Sequence, residues 1–301
     1  MPGIAFHQLT KHYRDVTALD GLTADVATGR ITAFLGANGS GKTTSMRLLL
    51  GLSEPDSGHA TIGGQRYVDM AHPTRSVGAV LDQGFHPNRS ARNHLRIISA
   101  QAAMPAYRVE EVLDLVGLTT AARRRVGGFS LGMRQRLALA SALVGDPAVL
   151  VLDEPFNGLD PAGIATMRSF LRTFADRGGT VFLSSHLLSE VAHSADDAIV
   201  IHRGRLVSAG PVSDLSSGSS GVVVTTADAD LLAVTLARRG ATVERTSPDT
   251  SPDTLTITGA TRELVGRAAA DIGAVVTDIH GTADDLESVF ADLIQHQEAT
   301  S

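Results

Sequence analysis

The fold of this chain is decided by the stretch Gly36-Ala37-Asn38-Gly39-Ser40-Gly41-Lys42-Thr43-Thr44, which matches the phosphate-binding pattern G-x-x-x-x-G-K-[ST]. It follows an apolar run over 31–35 that predicts a buried strand, and it precedes a helical pattern over 45–50. A strand, a glycine-rich turn and a helix in this order are the context in which such a loop binds phosphate. The stretch, called the P-loop below, therefore predicts a site for a nucleoside triphosphate.

The residue types of the P-loop explain how it would hold a triphosphate. Its glycines allow the backbone to curl so that successive N–H groups point at phosphate oxygens, and the helix that begins near Lys42 adds its positive N-terminal end. Lys42 supplies a charge for the β- and γ-phosphates, and the Thr43 hydroxyl is placed to hold Mg²⁺. The predicted nucleotide-binding residues of the P-loop are Gly36, Ala37, Asn38, Gly39, Ser40, Gly41, Lys42, Thr43 and Thr44.

Composition and charge restrict the class of protein. The 301 residues include 43% hydrophobic and 19% charged residues, a balance typical of a globular chain with one large domain or two unequal ones. The formal charge of −6 disfavours nucleic acid as a partner, and the absence of cysteine excludes disulfides and thiolate metal sites. No apolar run reaches the roughly 18 residues of a membrane span, and residues 1–7 lack the blocks of a signal peptide. We therefore expect a cytoplasmic protein with no membrane span of its own.

The order of predicted elements divides the chain into two domains. Residues 1–215 alternate strands and helices around the P-loop, which predicts an α/β domain, and the predominantly helical block over 84–144 predicts a lobe inserted between its strands. The serine- and glycine-rich stretch 216–221 predicts a linker. Residues 222–301 follow the order βαββαβ, the ferredoxin-like pattern of a small α+β domain, and end in a predicted helix over 283–295.

Tyr13 lies before the P-loop in a polar segment, Lys11–Val16, that predicts a loop between strands over 4–9 and 22–27. A tyrosine at this position has two interpretations. It is either a half-buried aromatic of the surface or a ring that stacks on a nucleotide base, and the residues by themselves leave both open.

Two carboxylates and a histidine follow apolar strands. Asp153 and Glu154 end the strand predicted over 148–152, and His186 comes just after the strand predicted over 180–184. Ligands bind at the carboxyl ends of parallel strands, so we expect all three side chains at one sheet edge near the P-loop. Asp153 is assigned to Mg²⁺ through water, and Glu154 polarises a water in line with the γ-phosphate. A lone histidine is more often structural, but its position at a strand end beside a triphosphate site favours His186 as a sensor of the γ-phosphate. The alternative for the two carboxylates is that they cap a helix.

Ser130 and Gly132 begin a predicted helix that runs to about Val144, and a helix N-terminus is a ready anion site. The P-loop already surrounds its own nucleotide. We therefore interpret the second anion site as one that serves the phosphate of another molecule.

At these motifs the chain resembles the nucleotide-binding subunits of ATP-binding-cassette (ABC) transporters, and the resemblance covers roughly residues 4–215. Its most specific part is Phe129-Ser130-Leu131-Gly132-Met133-Arg134-Gln135-Arg136-Leu137, called the signature segment below, which is similar to the ABC signature of bacterial drug and peptide-antibiotic exporters. The run Leu152–Pro161 resembles the Walker B motif and D-loop of that subfamily. His186 matches the switch histidine, and Tyr13 matches the aromatic residue that stacks on adenine.

The resemblance implies a fold, an activity and partners. The fold is the P-loop NTPase cassette of this family, a mixed sheet core with a helical lobe, and the activity is hydrolysis of ATP with Mg²⁺. Two such domains close head to tail around two ATP molecules, so that Ser130 and Gly132 of one complete the γ-phosphate site of the other while Asp160 couples the two sites. The homodimer then drives a separate transmembrane permease that exports drugs, antibiotics or lipids. Binding to the permease places the chain at the inner face of the cell membrane.

The chain departs from the family pattern at two places. Leu131 and Met133 replace residues of the usual LSGGQ, although the serine and one glycine are kept. The glutamine of the Q-loop is ambiguous, because counting forward from the preceding strand selects Asp82 and counting back from His86 selects Gln83. We favour Gln83, whose side chain can reach both Mg²⁺ and the nucleotide without adding charge.

Other classes of P-loop protein fit less well. A soluble ABC protein of translation carries two cassettes in one chain, and one of DNA repair carries a long coiled coil between P-loop and signature, where this chain shows no sustained heptads. A small-molecule kinase would not explain the signature segment. The transported substrate and its direction are not encoded here, since the substrate path lies in the permease.

Overall fold

The computed structural model describes residues 3–81, 84–186, 194–217, 221–245 and 253–281. The chain divides into two compact units, Met1–Ala209 and Gly210–Ser301. Among the described residues, no helix combines the length and the apolar character needed to cross a bilayer.

The described strands of the first unit form two sheets. The strands are β1 Ile4–Tyr13, β2 Val16–Val26, β3 Ile31–Leu35, β4 Ser57–Ile62, β5 Val77–Val80, β6 Val149–Leu152, β7 Thr180–Ser185, β8 Asp197–His202 and β9 Arg205–Pro211. The larger sheet has the order β5-β6-β7-β3-β8-β9, and the smaller one has the order β2-β1-β4. From β5 to β8 each neighbouring pair of strands in the larger sheet is parallel, whereas the smaller sheet is antiparallel.

The described helices of the first unit are α1 Lys42–Leu49, α2 Pro73–Ser76, α3 Ala91–Gln101, α4 Tyr107–Leu115, α5 Leu131–Leu143 and α6 Pro161–Asp176. The three helices α3, α4 and α5 contact one another, and they fall in the block over 84–144 that the sequence predicts as a helical lobe. Ser90 begins α3 by accepting a hydrogen bond from the Asn93 N–H at 3.3 Å, as expected for an N-cap.

Three phenylalanines join the two sheets of the first unit. Phe6 of β1, Phe34 of β3 and Phe182 of β7 are each buried, and their ring centroids lie 5.2 to 6.3 Å apart. Aromatic pairs at these separations stabilise a core beyond the area they bury. Phe34 lies two residues before the P-loop, so this cluster fixes the strand from which the loop departs.

The predicted loop over Lys11–Val16 is wrong. Strand β1 continues to Tyr13, and β2 begins at Val16 after a turn in which Arg14 has a φ of 51°. The prediction failed because this end of the hairpin is exposed on both faces, so its residues are polar and show no apolar alternation. The strands still pair there, with His12 opposite Thr17, and neither residue is buried. Tyr13 is therefore the last residue of a strand.

The second unit contains a four-stranded antiparallel sheet in its described residues. Its elements are α7 Val212–Ser217, β10 Gly221–Thr226, α8 Ala229–Arg238, β11 Thr242–Arg245, β12 Asp253–Thr258, α9 Arg262–Ile272 and β13 Val276–Gly281. The sheet order is β11-β12-β10-β13, and its core packs Leu232 and Leu236 of α8 and Val265 of α9 against strand residues such as Val224 and Ile257.

The division into compact units falls near the predicted end of the first domain. The division falls at Ala209 and Gly210, whereas the sequence placed the end of the first domain at 215 and a linker over 216–221. Helix α7 extends through Ser217 and β10 begins at Gly221, so the predicted linker is shorter than its composition indicates. Residues 218–220 and the predicted helix over 283–295 lie outside the described residues.

Candidate active site

The P-loop connects β3 to α1 in the middle of the larger sheet. All five residues of β3 are buried between β7 and β8, which accounts for the unbroken apolar run. Gly41 has a φ of 110°, and a Cβ there would lie 2.6 Å from the Ala18 carbonyl oxygen, so only glycine fits this turn. The β1–β2 hairpin therefore lies directly against the P-loop.

Within the described residues, the P-loop presents a helix start without a side-chain cap and one buried hydroxyl without a partner. Helix α1 starts at Lys42 with no side-chain cap and no acidic residue in its first turn, which leaves N–H groups available to an anion. The buried Ser40 hydroxyl has no hydrogen-bond partner among the described residues. Buried polar atoms are normally paired, and these groups fit a bound phosphate. Gly36 is buried, Ala37, Asn38 and Gly39 are exposed, and Thr44 is half-buried.

Lys42 is buried, with 6% of its side chain exposed. Its Nζ donates to the carbonyl oxygens of Gly36 at 2.6 Å and Ala37 at 3.3 Å, and it lies 3.8 Å from Glu154 Oε1. Burial lowers the pKa of the ammonium group, and the charges of Glu154 and Asp153 act in the opposite direction. The cation is thus held between the P-loop and the end of β6.

Asp153 links the P-loop to the sheet. It directly follows β6, and its Oδ2 accepts a hydrogen bond from the Thr43 hydroxyl at 2.7 Å, while its Oδ1 accepts one from the Ser184 hydroxyl at 2.5 Å. Carboxylate and hydroxyl oxygens are the ligand types that Mg²⁺ prefers, so Thr43 and Asp153 fit that ion. No cluster of three or more His, Asp or Glu suited to a metal occurs in the described part of the chain. Gln83 and its rival Asp82 lie outside the described residues.

Glu154 and His186 meet at the same edge. His186 Nδ1 lies 2.9 Å from Glu154 Oε2, and 34% of the His186 side chain and 22% of the Glu154 side chain are exposed. Glu154 has a φ of 47°, in the left-handed region that non-glycine residues rarely adopt. The structure brings four predicted side chains together at the carboxyl ends of β3, β6 and β7, as expected from the sequence: Lys42, Asp153, Glu154 and His186.

Ser130 and Asp160 each begin a helix. Ser130 is exposed and accepts a hydrogen bond from the Met133 N–H at 3.3 Å at the start of α5, and Asp160 accepts one from the Gly163 N–H at 2.9 Å at the start of α6. No hydrogen bond in the described part of the chain links Ser130 or Gly132 to the P-loop of the same chain. The start of α5, where the sequence predicts a second anion site, is therefore not bonded to the P-loop within one copy.

Tyr13 is held by its neighbours on the hairpin. Its side chain is 45% exposed, and the Lys11 ammonium lies 5.4 Å from the ring centroid. Lys11 also bonds Asp56 at 3.1 Å. The backbone N–H of His12, followed by the Lys11 ammonium, lowers the pKa of Asp56 to about 2. An exposed ring at the end of β1 is compatible with both interpretations of Tyr13.

Two residues of the site escape sequence reasoning. Ser184 binds both Asp153 and the backbone of Glu154, and the buried Gln135 of α5 donates from Nε2 to the Pro155 carbonyl oxygen at 2.8 Å. For Ser184 the available signal was a polar residue at the end of a buried strand, whereas Gln135 lies between the partly exposed Arg134 and Arg136 and gives no such signal. The hydrogen-bond partner of neither residue could be predicted, because the order of the strands decides which elements are neighbours.

Comparisons with known proteins point to one family. The family model described as ABC transporter matches residues 19–157, which include the P-loop, the signature segment and both carboxylates. The bacitracin transport ATP-binding protein BcrA of Bacillus licheniformis is 42% identical over 203 residues, 66% of this chain and 66% of that protein. The lantibiotic transport ATP-binding protein SrtF of Streptococcus pyogenes is 34% identical over 205 residues, 68% of this chain and 89% of that protein. A solved ATP-binding subunit of an ABC transporter is 26% identical, with a TM-score of 0.65 over 71% of this chain and 92% of that one.

Proposed function

This chain belongs to the ATP-binding proteins of ABC transporters, and from that premise we propose that it hydrolyses ATP to drive a membrane exporter of antibiotics, drugs or lipids. The observation that carries the proposal is the hydrogen bond from Thr43 to Asp153, which joins the P-loop to the carboxylates at the end of β6. The names of the relatives, which refer to transport of bacitracin and a lantibiotic, support a role in transport over one in translation or DNA repair.

ATP would bind with its phosphates on the P-loop. The first turn of α1 donates backbone N–H groups, and Lys42 exchanges its two carbonyl partners for phosphate oxygens. Thr43, Asp153 and Gln83 would hold Mg²⁺, which neutralises charge on the β- and γ-phosphates. Tyr13 stacks on the adenine ring.

Glu154 and His186 would act on the attacking water. Glu154 accepts a proton from that water as its oxygen attacks the γ-phosphorus, and the bond to the ADP oxygen breaks, so that ADP and phosphate leave. His186 holds one oxygen of Glu154 at 2.9 Å and would also contact the γ-phosphate. Lys42 holds the other side of the same carboxylate.

A second copy of the chain would complete each site. Ser130 and Gly132 are exposed or half-buried at the start of α5 and are not engaged by the P-loop of their own chain. In a head-to-tail homodimer they face the γ-phosphate held by the partner, and Asp160 couples the two sites. Closure around ATP and opening after hydrolysis then move the helices of a separate permease, which holds the protein at the inner, cytoplasmic face of the membrane.

The domain limits are part of the same proposal. We keep 1–215 as the sequence-based limit of the ATP-binding domain with a helical lobe over about 84–144, although the first compact unit ends at Ala209, and 222–301 as the accessory domain within the second unit. The element order β10-α8-β11-β12-α9-β13 and the sheet order β11-β12-β10-β13 support a ferredoxin-like fold for the accessory domain.

The transport role predicts a membrane partner. When the tagged chain is purified from detergent-solubilised membranes of its own cells, we expect an integral membrane protein to copurify and to raise its ATPase rate. Recovery with ribosomes or with DNA repair proteins, and in the absence of any membrane protein, would contradict the proposal.

The head-to-tail dimer predicts complementation between two inactive variants. Lys42→Met disables the P-loop and Ser130→Glu blocks the signature segment, so neither homodimer has an intact site. In an equimolar mixture, half of the dimers are mixed and one of their two sites is intact, so we expect about a quarter of the parent ATPase rate. The control is an equimolar mixture of Lys42→Met with Asp153→Asn. Both variants damage the same half of the site, so this mixture should stay inactive. Equal inactivity of both mixtures would argue against shared sites.

A further inference from the structure

Ser184 occupies a position between the two carboxylates of the site. It is fully buried near the end of β7, one residue beyond the pairing of Leu152 with Leu183 that joins β6 to β7. Its hydroxyl donates to Asp153 Oδ1 at 2.5 Å and accepts from the Glu154 N–H at 2.8 Å. One side chain thus contacts two neighbouring residues that the proposed mechanism uses for different purposes.

We propose that Ser184 is a positioning residue that sets both carboxylates for hydrolysis without touching ATP itself. The proposal rests on the proposed ATPase function of this site and adds to it a residue outside the P-loop, the signature segment and the carboxylates. A hydroxyl has a single hydrogen to donate and two lone pairs to accept. The hydrogen goes to Asp153, which leaves the oxygen to receive the Glu154 N–H.

The bond to Asp153 fixes which oxygen faces the P-loop. With Oδ1 held by Ser184, Oδ2 is the oxygen that remains on Thr43, at 2.7 Å. The terminal torsion of an aspartate is broad, so a carboxylate held at one end only turns easily. Ser184 therefore keeps the oxygen assigned to Mg²⁺ on the side of the P-loop.

The bond to the Glu154 N–H holds an unfavourable backbone conformation. Glu154 has a φ of 47°, which costs energy for a residue with a side chain and persists only where its surroundings impose it. This turn directs the Glu154 side chain back toward His186 at 2.9 Å and Lys42 at 3.8 Å. Without the Ser184 oxygen, the Glu154 N–H loses its partner and the carboxylate loses its fixed direction.

The test separates positioning from folding and from catalysis. In Ser184→Ala we expect kcat to fall about tenfold and the gain in ATP affinity on adding Mg²⁺ to fall by a similar factor, because two bonds to charged or functional groups are lost. The affinity for ATP in EDTA should stay near the parent value, since the P-loop is intact. The thermal midpoint without nucleotide should fall by only a few degrees, because two hydrogen bonds are lost while the core is unchanged. Ser184→Thr keeps the hydroxyl and should recover both properties.

Thr32→Val is the matched control. It removes a buried hydroxyl from the adjacent strand β3, where the Thr32 oxygen has no hydrogen-bond partner among the described residues. We expect it to keep the parent kcat and the parent response to Mg²⁺. If Ser184→Ala behaved like Thr32→Val, or lost ATP affinity equally with and without Mg²⁺, the positioning role would be refuted. The binding measurements require no turnover, so they decide this proposal even if the parent chain proves inactive, a result that would count against the ATPase function alone.

Discussion

Glu154→Gln should bind ATP with Mg²⁺ and fail to hydrolyse it. An amide has nearly the shape of the carboxylate, but it cannot accept the proton of the attacking water, and loss of a general base slows a reaction by about 10²- to 10⁴-fold. We expect a fall of about a thousandfold in kcat. Lys42 lies 3.8 Å from the Glu154 carboxylate, so removal of that negative charge frees the cation for phosphate, and ATP affinity should be unchanged or higher.

The same variant should accumulate as a closed dimer. Hydrolysis reopens the dimer in the proposed cycle, so a variant that binds but does not hydrolyse remains associated in the presence of MgATP. Single-turnover kinetics measure the chemical step, and light scattering with and without MgATP measures the association. Glu111→Gln is a suitable control, because Glu111 is a half-exposed carboxylate in α4 that pairs with Arg108. Hydrolysis by Glu154→Gln at the parent rate would show that another group is the base.

Residues that follow buried strands were predictable from the sequence. The P-loop follows β3, Asp153 and Glu154 follow β6, and His186 follows β7. Continuous apolar runs are a strong signal for buried parallel strands, and parallel strands bring their carboxyl ends to one edge. The family resemblance found from these motifs is confirmed by the matching family model and relatives.

Contacts that depend on lateral position were not predictable. The role of Ser184 requires β7 to lie beside β6, and the sequence does not state which strands are neighbours. The bond from Gln135 to the Pro155 carbonyl oxygen requires α5 to approach the end of β6. The conformation of Glu154 is a third case, since a positive φ at a glutamate is imposed by its neighbours and contradicts its own preference. All three features depend on how distant parts of the chain meet in the fold. The residue types of the site, by contrast, are recognisable from short motifs in the sequence.

Lys42→Met should abolish useful ATP affinity and leave the fold intact. Bonds between a cation and phosphate oxygens are worth about 1.5 to 3 kcal/mol each, so the dissociation constant should rise by about a hundredfold or more. The stability of the folded chain without nucleotide should change much less. The cation is buried, and burial lowers the pKa of its ammonium group, which shows that desolvation opposes the charge. An unbranched apolar side chain in its place avoids that cost, so we expect the thermal midpoint without nucleotide to change by no more than about 4 °C.

One thermal titration measures both effects. Ligand that binds only the folded state stabilises it by about 2.7 kcal/mol at a concentration of 100 times Kd. MgATP at that concentration should therefore raise the midpoint of the parent, whereas a hundredfold weaker Kd leaves only about 0.4 kcal/mol and a correspondingly small shift in Lys42→Met. Arg30→Met is the control, because Arg30 precedes β3 at the opposite end of the strand and pairs with Asp197. It removes a cation from the same strand region and should keep the full shift with MgATP. A parent-sized shift in Lys42→Met would mean that the phosphates are held by the backbone of the P-loop alone, and that the buried cation serves the fold instead of the nucleotide.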